Sequence, residues 1–473
     1  MVRRTRIFHF GIGLILLAIV SLSGSIGEKV SSETSGYFQL RARVTTTSDW
    51  TQIIISGATL GALTEQVQAD PGAQNLRVKA ERGLSISKKQ FDATRVTAIF
   101  TVFLADWQAP QLAIEVRKGD IGSTRIELFN ANAEPERLIA TYTSDGNIPG
   151  DPTNFRSFTV AAEAIQEGGP LTFPPAPAEK KVLAFYYPWY GTPSRPGGQW
   201  FHWNPQQRHY ASTHTPLAGY YDSQDERTIE RHIREARQAG IDAFIASWWG
   251  IASFEDQALE RIITVAERMG FQVTIYYEQA RSRDQILRDV RYILSKYAGS
   301  PAFLKIQDRP VLFFYGRVTG QFAPEDWAYV FQQLSQEGLA AFSIADGFQE
   351  DLIRGFEGVH TYNPVTLPLE QTRGLYRSNA LRAKAIGKLF AATVVPGYDD
   401  RNVRQPGFVQ DRQGGDYYRA SWDAATSSQP HWILVTSFNE WHEGSEIEPS
   451  VEFGDQYLEL TRELAERWKA PSQ

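Results

Sequence analysis

The chain has no cysteine. Disulfides and a lipidated N-terminal cysteine are therefore excluded, and the core of any exported form must hold without covalent staples. Other signatures are missing too. No G-x-G-x-x-G follows a strand-like run, and no phosphate-binding P-loop occurs. His442-Glu443 continues into Gly444, Ser445 and Glu446, so there is no H-E-x-x-H zinc motif; no metal and no cofactor are expected. A basic excess is also lacking: the net charge is −6, spread along the chain, which argues against a nucleic-acid partner. What remains is globular in composition, 42% apolar and 12% aromatic, with 12 Trp and 20 Tyr. Such rings serve large cores and also act as stacking platforms for sugars.

The N-terminus reads as a targeting segment. Met1 to Arg6 is basic, Phe8 to Val20 is apolar, and Ser21 to Ser25 is small. Residues 1–25 are expected to be a secretory signal peptide, with an uncleaved membrane anchor as the alternative. The apolar run is short for a spanning helix, which needs ~20 residues. Export to the periplasm, cell surface or medium is expected, with membrane anchoring as the alternative, and the chain is expected to be a monomer.

Residues 37–167 carry short runs of period two, such as Phe38–Val44, Val96–Phe103, Leu112–Val116 and Ser123–Phe129, separated by Gly, Asp, Asn and Pro. This pattern predicts a β-sandwich. Residues 168–179 form a Pro-rich linker, which predicts few core contacts between what lies on either side. Over 180–470, apolar strand-like runs at 182–187, 243–247, 273–277, 311–315, 341–344, 359–361, 391–395 and 432–436 alternate with helix-like stretches. Arg227–Ala239 and Asp256–Met269 each end at a glycine stop. The fold class expected is α/β: a (β/α)₈ TIM barrel preceded by the sandwich, with a doubly wound sheet as runner-up.

In a barrel, chemistry sits at the carboxyl ends of the strands. Those ends are rich in rings and acids: Tyr186-Tyr-Pro-Trp-Tyr-Gly191 with Trp200-Phe-His-Trp-Asn204, Ser247-Trp-Trp-Gly250, Tyr276-Tyr-Glu-Gln279, His360-Thr-Tyr-Asn-Pro364, Pro396-Gly-Tyr-Asp-Asp-Arg401 and Asn439-Glu-Trp-His-Glu443. Glu440 and Glu443 are three apart, so one turn brings them within ~5–6 Å at Cβ. Two acids beside aromatic rings suit glycosidic chemistry, one moving a proton while the other stays ionised. The same spacing also suits a solvated helix start, where acids complement the dipole. Trp189 and Tyr190 could equally be core rings, His202 and His442 ordinary hydrogen-bonding residues, and Asp399 and Asp400 caps or partners of Arg401.

Taken together these motifs resemble those of the family 99 glycoside hydrolases, the endo-α-1,2-mannosidases and endo-α-1,2-mannanases. The likeness runs from about Val182 to Trp468 and adds Tyr221-Asp-Ser-Gln-Asp and Gly355-Phe-Glu-Gly-Val-His-Thr-Tyr to the motifs above. It implies a (β/α)₈ barrel that cleaves inside α-mannoside chains with retention of configuration. On that likeness Glu443 is the general acid, then base, and Glu440 assists attack by the sugar's own 2-hydroxyl through a 1,2-anhydro intermediate. Glu278 matches a carboxylate that binds sugar hydroxyls, and Tyr187 and Tyr362 match tyrosines at the cleaved site. Trp189, His202, Trp248, Trp249, Asn439 and Trp441 complete the expected substrate-binding set. The partner implied is an α-mannoside oligosaccharide or polysaccharide. The alternatives are a glycosidase on another α-linked glycan and a non-catalytic surface sugar-binding protein. Two departures stand out. Trp249 occupies a position where animal members carry Tyr, and the segment after Glu448 is short. The sandwich has no counterpart in the resemblance.

Overall fold

The computed structural model describes residues 36–471 except 72, 74–75, 81–82, 89–93, 108, 120, 145–154, 195–197 and 204–211. The N-terminal targeting segment expected at 1–25 lies outside the described residues. Among those described, no helix is long and apolar enough to cross a membrane.

The first part is built from antiparallel strands. One sheet takes β1 (Gly36–Thr46), β3 (Thr59–Ala69), β6 (Val96–Ala105), β8 (Thr124–Asn130) and β9 (Arg137–Ser144) in the order β3-β6-β1-β8-β9, with β11 (Leu171–Thr172) beside β1. The other takes β2 (Trp50–Ser56), β4 (Arg77–Lys79), β5 (Leu84–Ser87), β7 (Gln111–Lys118) and β10 (Phe155–Ala161) in the order β10-β7-β2-β5-β4. Alternation decides which side chains meet, because successive residues of a strand face opposite ways. Leu40, Ala42 and Val44 of β1 share one buried cluster with Ile53 and Ile55 of β2 and Leu112, Ile114 and Val116 of β7. The two sheets thus pack face to face as the sandwich the sequence predicted.

The second part is a closed barrel. Parallel strands β12 (Lys181–Tyr186), β13 (Ala243–Trp248), β14 (Gln272–Tyr277), β16 (Arg309–Phe314), β17 (Phe342–Asp346), β18 (Gly358–His360), β19 (Leu389–Val394) and β22 (Trp432–Val435) follow one another around the ring, and β14 pairs with β16 to close it. The short β15 (Lys305–Ile306) is an antiparallel addition to β16. Each expected run falls on a strand within two residues, because both faces of a barrel strand are buried and leave an unbroken apolar signature. Leu183, Phe185, Ile245, Phe313, Ile344, Ala391 and Leu434 fill the interior, whereas Val182, Ala184, Phe244, Ala246 and Ile433 face the helices. The expected helices form at Glu226–Gln238 and Phe254–Met269, capped by Asp225 and Ser253 side chains, and Gly270 ends the second in a left-handed conformation.

The junction differs from the sparse one the Pro-rich linker predicted. The helix Leu369–Ala385 lies against β3, and Tyr37, Leu63, Phe103 and Leu381 form a shared buried cluster. Arg382 reaches across to donate from Nε to Ala62 O at 2.9 Å, and a Cβ added at Gly61 would lie 2.7 Å from its Cγ. Glu350 accepts from Thr64 N at 2.7 Å and Arg377 pairs with Asp106 at 2.9 Å. The linker itself is pinned, its Phe173 ring lying 4.9 Å from Tyr37 and under Lys384. Proline content sets chain stiffness; it says nothing about the area that two units bury.

Candidate active site

Strand β22 ends at Val435 and delivers the acid pair into a fully packed loop. Asn439 is the loop's anchor: its Oδ1 accepts from Tyr187 N at 2.7 Å, and its Nδ2 donates to Tyr187 O and to Tyr221 Oη, both at 3.1 Å. Tyr190 donates to Asn439 O at 2.9 Å and accepts from Trp441 N at 3.1 Å. Asn439 and Trp441 are wholly buried, so they hold the loop in place and present no surface to a ligand. Behind them Glu448 accepts from Tyr221 Oη at 2.7 Å, Arg231 Nη1 at 3.1 Å and Trp441 Nε1 at 3.2 Å, with His232 Nε2 at 2.9 Å.

The two acids have unlike surroundings. Glu440 is buried, its backbone N donates to Ser437 Oγ at 2.7 Å, and its Oε1 accepts from His442 N at 3.1 Å. His442 adds its ring nearby, with Nδ1 at 3.5 Å from that oxygen and Nε2 donating to His202 O at 2.8 Å. Burial alone would lower the His442 pKa, but the hydrogen bond and charge of Glu440 and the His202 carbonyl raise it above its ordinary value. Glu443 opens to the cleft through 13% of its side chain. Its Oε1 accepts from Arg404 Nη2 at 2.7 Å, while the buried Oε2 makes no hydrogen bond. Burial, and then the charge of Glu440, push its pKa up to about 7 against the pull of Arg404.

A cavity of ≈ 430 Å³ opens beside Glu443, lined among others by Tyr315, Arg317, Asp346, Tyr362, Tyr398 and Arg404. Of the residues expected from sequence, only Tyr362 and Glu443 line it. The rest form a connected wall. Tyr187 donates to Tyr362 Oη at 2.6 Å, and its ring lies 4.8 Å from Trp189. Trp189 stacks on His202 at 4.4 Å and lies 6.2 Å from Trp249. Trp249 donates to Ser247 Oγ at 2.9 Å, and Ser247 donates to Glu278 Oε1 at 2.7 Å. Burial pushes the Glu278 carboxyl up to about 8 despite Ser247 and Arg317, and burial with the charge of His442 pushes His202 down to about 3.

Trp248, like Asn439 and Trp441, departs from the expected substrate-binding set. Alternation turns it outward from the barrel, where it is buried among the helix-facing residues, stacks on Tyr277 and donates to Asp256 Oδ1 at 2.9 Å. It packs the wall and cannot touch a ligand in the cleft. Sequence reasoning also missed Arg404 and Glu448. Glu448 stood inside the acidic motif unread, while nothing local marks Arg404, which reaches the loop from 39 positions away. His232, Glu235 and Glu448 place ligand atoms within 4.8 Å of one another. Arg231, however, donates to both acids, at 3.2 and 3.1 Å, so a guanidinium already supplies the positive charge there.

Residues 177–461 match the model of glycosyl hydrolase family 99. The chain belongs to that family. It is a glycoside hydrolase. It is similar to the glycoprotein endo-alpha-1,2-mannosidase of Rattus norvegicus, at 29% identity over 61% of this chain and 74% of that protein. The human glycoprotein endo-alpha-1,2-mannosidase-like protein is 26% identical over 62% of this chain and 78% of its own length. Among solved structures, the family 99 endo-alpha-mannosidase from Bacteroides thetaiotaomicron superposes with a TM-score of 0.55 and 27% identity, covering 62% of this chain and 99% of that one. The family match begins after the sandwich.

Proposed function

We propose that the protein is a retaining, endo-acting α-mannosidase of the endo-α-1,2-mannosidase or mannanase type. The observation that carries the reading is the inequality of the acid pair. Glu443 holds a proton up to about pH 7 and has one oxygen without a partner, while Glu440 is held against His442 one turn away. Family membership and the names of the relatives supply the mannose-containing glycan.

In this mechanism Glu443 gives its proton to the glycosidic oxygen as the bond to the anomeric carbon breaks. The 2-hydroxyl oxygen of the same sugar attacks that carbon from the other face, and Glu440 takes the hydroxyl proton. A water then opens the 1,2-anhydro ring at the anomeric carbon and gives its proton to Glu443, while Glu440 returns the other to the 2-oxygen. Two inversions give net retention, as in substrate-assisted exceptions to the carboxylate-nucleophile route. Export rests on the N-terminal residues alone.

The test is stereochemical. The first product from an α-mannoside should be the α-anomer in proton NMR before mutarotation; a β-anomer first would overturn the reading. Glu443→Gln should lose ~10²–10⁴-fold on a natural glycan, and less on an activated aryl mannoside, whose leaving group needs little protonation. A substrate lacking the 2-hydroxyl should not turn over.

A further inference from the structure

Downstream of β19, β20 (Tyr398–Asp399) and β21 (Val409–Gln410) form a hairpin whose exposed tip reaches over the cleft to Glu443. The hairpin is ordered by Asp400, a buried carboxylate. Its Oδ1 accepts from Phe408 N at 2.6 Å and its Oδ2 from Tyr398 Oη at 3.2 Å and Arg404 Nη1 at 2.6 Å. Arg404 Nη1 also donates to Tyr398 Oη at 2.8 Å, and Nη2 is left for Glu443 Oε1 at 2.7 Å. The guanidinium is planar, always charged and without acceptors, so it favours the ionised form of the carboxyl it grips.

We propose that Arg404 is a positioning residue for the acid: its bond to Oε1 fixes the Glu443 carboxyl at the cleft and holds down the pH to which that carboxyl keeps its proton. The proposal rests on the reading of Glu443 as the acid and adds what fixes it. The hairpin thereby also sets the alkaline limit of activity. The groups that face Glu443 define how. Glu440 and His442 lie on its own loop, Tyr187 follows β12, Glu278 follows β14, and Tyr315 and Arg317 follow β16. Tyr362 follows β18, and Tyr398 and Asp400 belong to the hairpin. Burial and the charge of Glu440 oppose ionisation of Glu443, while Arg404, the cation bonded to it, and the Tyr398 hydroxyl favour it. Removing Arg404 also uncovers the charge of Asp400, which acts in the same direction.

The test is the pH dependence of kcat/KM in Arg404→Met, Arg404→Lys and Glu443→Gln, each confirmed folded by thermal unfolding, with Arg404→Gln as a second neutral variant. The alkaline limb should move up by about 0.5–1 pH unit in the neutral variants, since Arg404 is half-exposed and solvent screens its charge. Arg404→Lys should restore the limb and still lose kcat, because one ammonium cannot hold Glu443, Asp400 and Tyr398 together. An unmoved or lowered limb in the neutral variants, with Glu443→Gln inactive, overturns the role of Arg404 and leaves the acid assignment standing. Wild-type rates in Glu443→Gln overturn the acid assignment itself.

Discussion

Replacing Glu448 with glutamine removes one negative charge from a fully enclosed network while changing almost no volume. The carboxylate is 3% exposed and accepts from Tyr221, Arg231 and Trp441, with His232 at 2.9 Å. Breaking a buried pair by neutralising one partner costs ~3–5 kcal/mol. The lower end applies here, about 3 kcal/mol, because Arg231 keeps Glu235 at 3.2 Å and is 26% exposed. The pH dependence separates charge from packing. Burial would raise the Glu448 pKa, but His232, Arg231 and Tyr221 outweigh it and hold it below the usual value. Folding therefore releases protons from this group, and its stabilisation is complete above the unfolded value of about 4.3. It drains away as pH falls through the lower folded value. Urea unfolding followed by tryptophan fluorescence should show Glu448→Gln weaker by about 3 kcal/mol at pH 7, with the gap closing toward pH 3. Turnover should fall as well, because Trp441 and, through Tyr221, Asn439 lean on this carboxylate. Equal stability at pH 7 would refute the network, and a gap independent of pH would reduce it to packing.

Three further outcomes can be measured directly. Glu278 carries its raised pKa only when folded, so Glu278→Gln should raise the thermal midpoint at pH 8 and leave it unchanged at pH 4. Trp249→Ala should raise KM through lost stacking, while Trp249→Tyr, which forfeits the bond to Ser247, should shift the kcat/KM ratio toward glucosyl-mannose over mannosyl-mannose substrates; an unchanged ratio removes the specificity argument. A chain beginning at Ala176 would bare Leu381 and strip Arg382 of Ala62, so it should unfold at a lower temperature than the whole protein, and Leu381→Ala alone should cost ~2–5 kcal/mol; equal midpoints would show that the seam contributes nothing.

The barrel and the sandwich were legible because burial writes itself into residue order. A strand covered on both faces leaves a continuous apolar run, as at Ala243–Trp248, and one covered on a single face alternates, as at Gln111–Lys118. The same alternation defeats a reading of neighbours as equals. In Ser247-Trp248-Trp249 the serine and the second tryptophan join Glu278 on the cleft side, while Trp248 turns into the helix layer. Two adjacent identical letters carry no mark of which face each will take until the strand's end is fixed.

The acid pair shows where sequence stops more sharply. Glu440 and Glu443 are one residue type, three positions apart, yet one is held locally and the other remotely. The bonds at Glu440 come from Ser437 and His442, inside its own turn, and any reading of the motif contains them. Those at Glu443 come from a hairpin 39 positions upstream, organised by Asp400 around Arg404. The hairpin packs onto the same loop, Asp399 N donating to Glu443 O at 2.8 Å. A family of enzymes with this acid pair could therefore keep the motif intact and still move its working pH, by altering a loop that no local reading of the motif would connect to the proton.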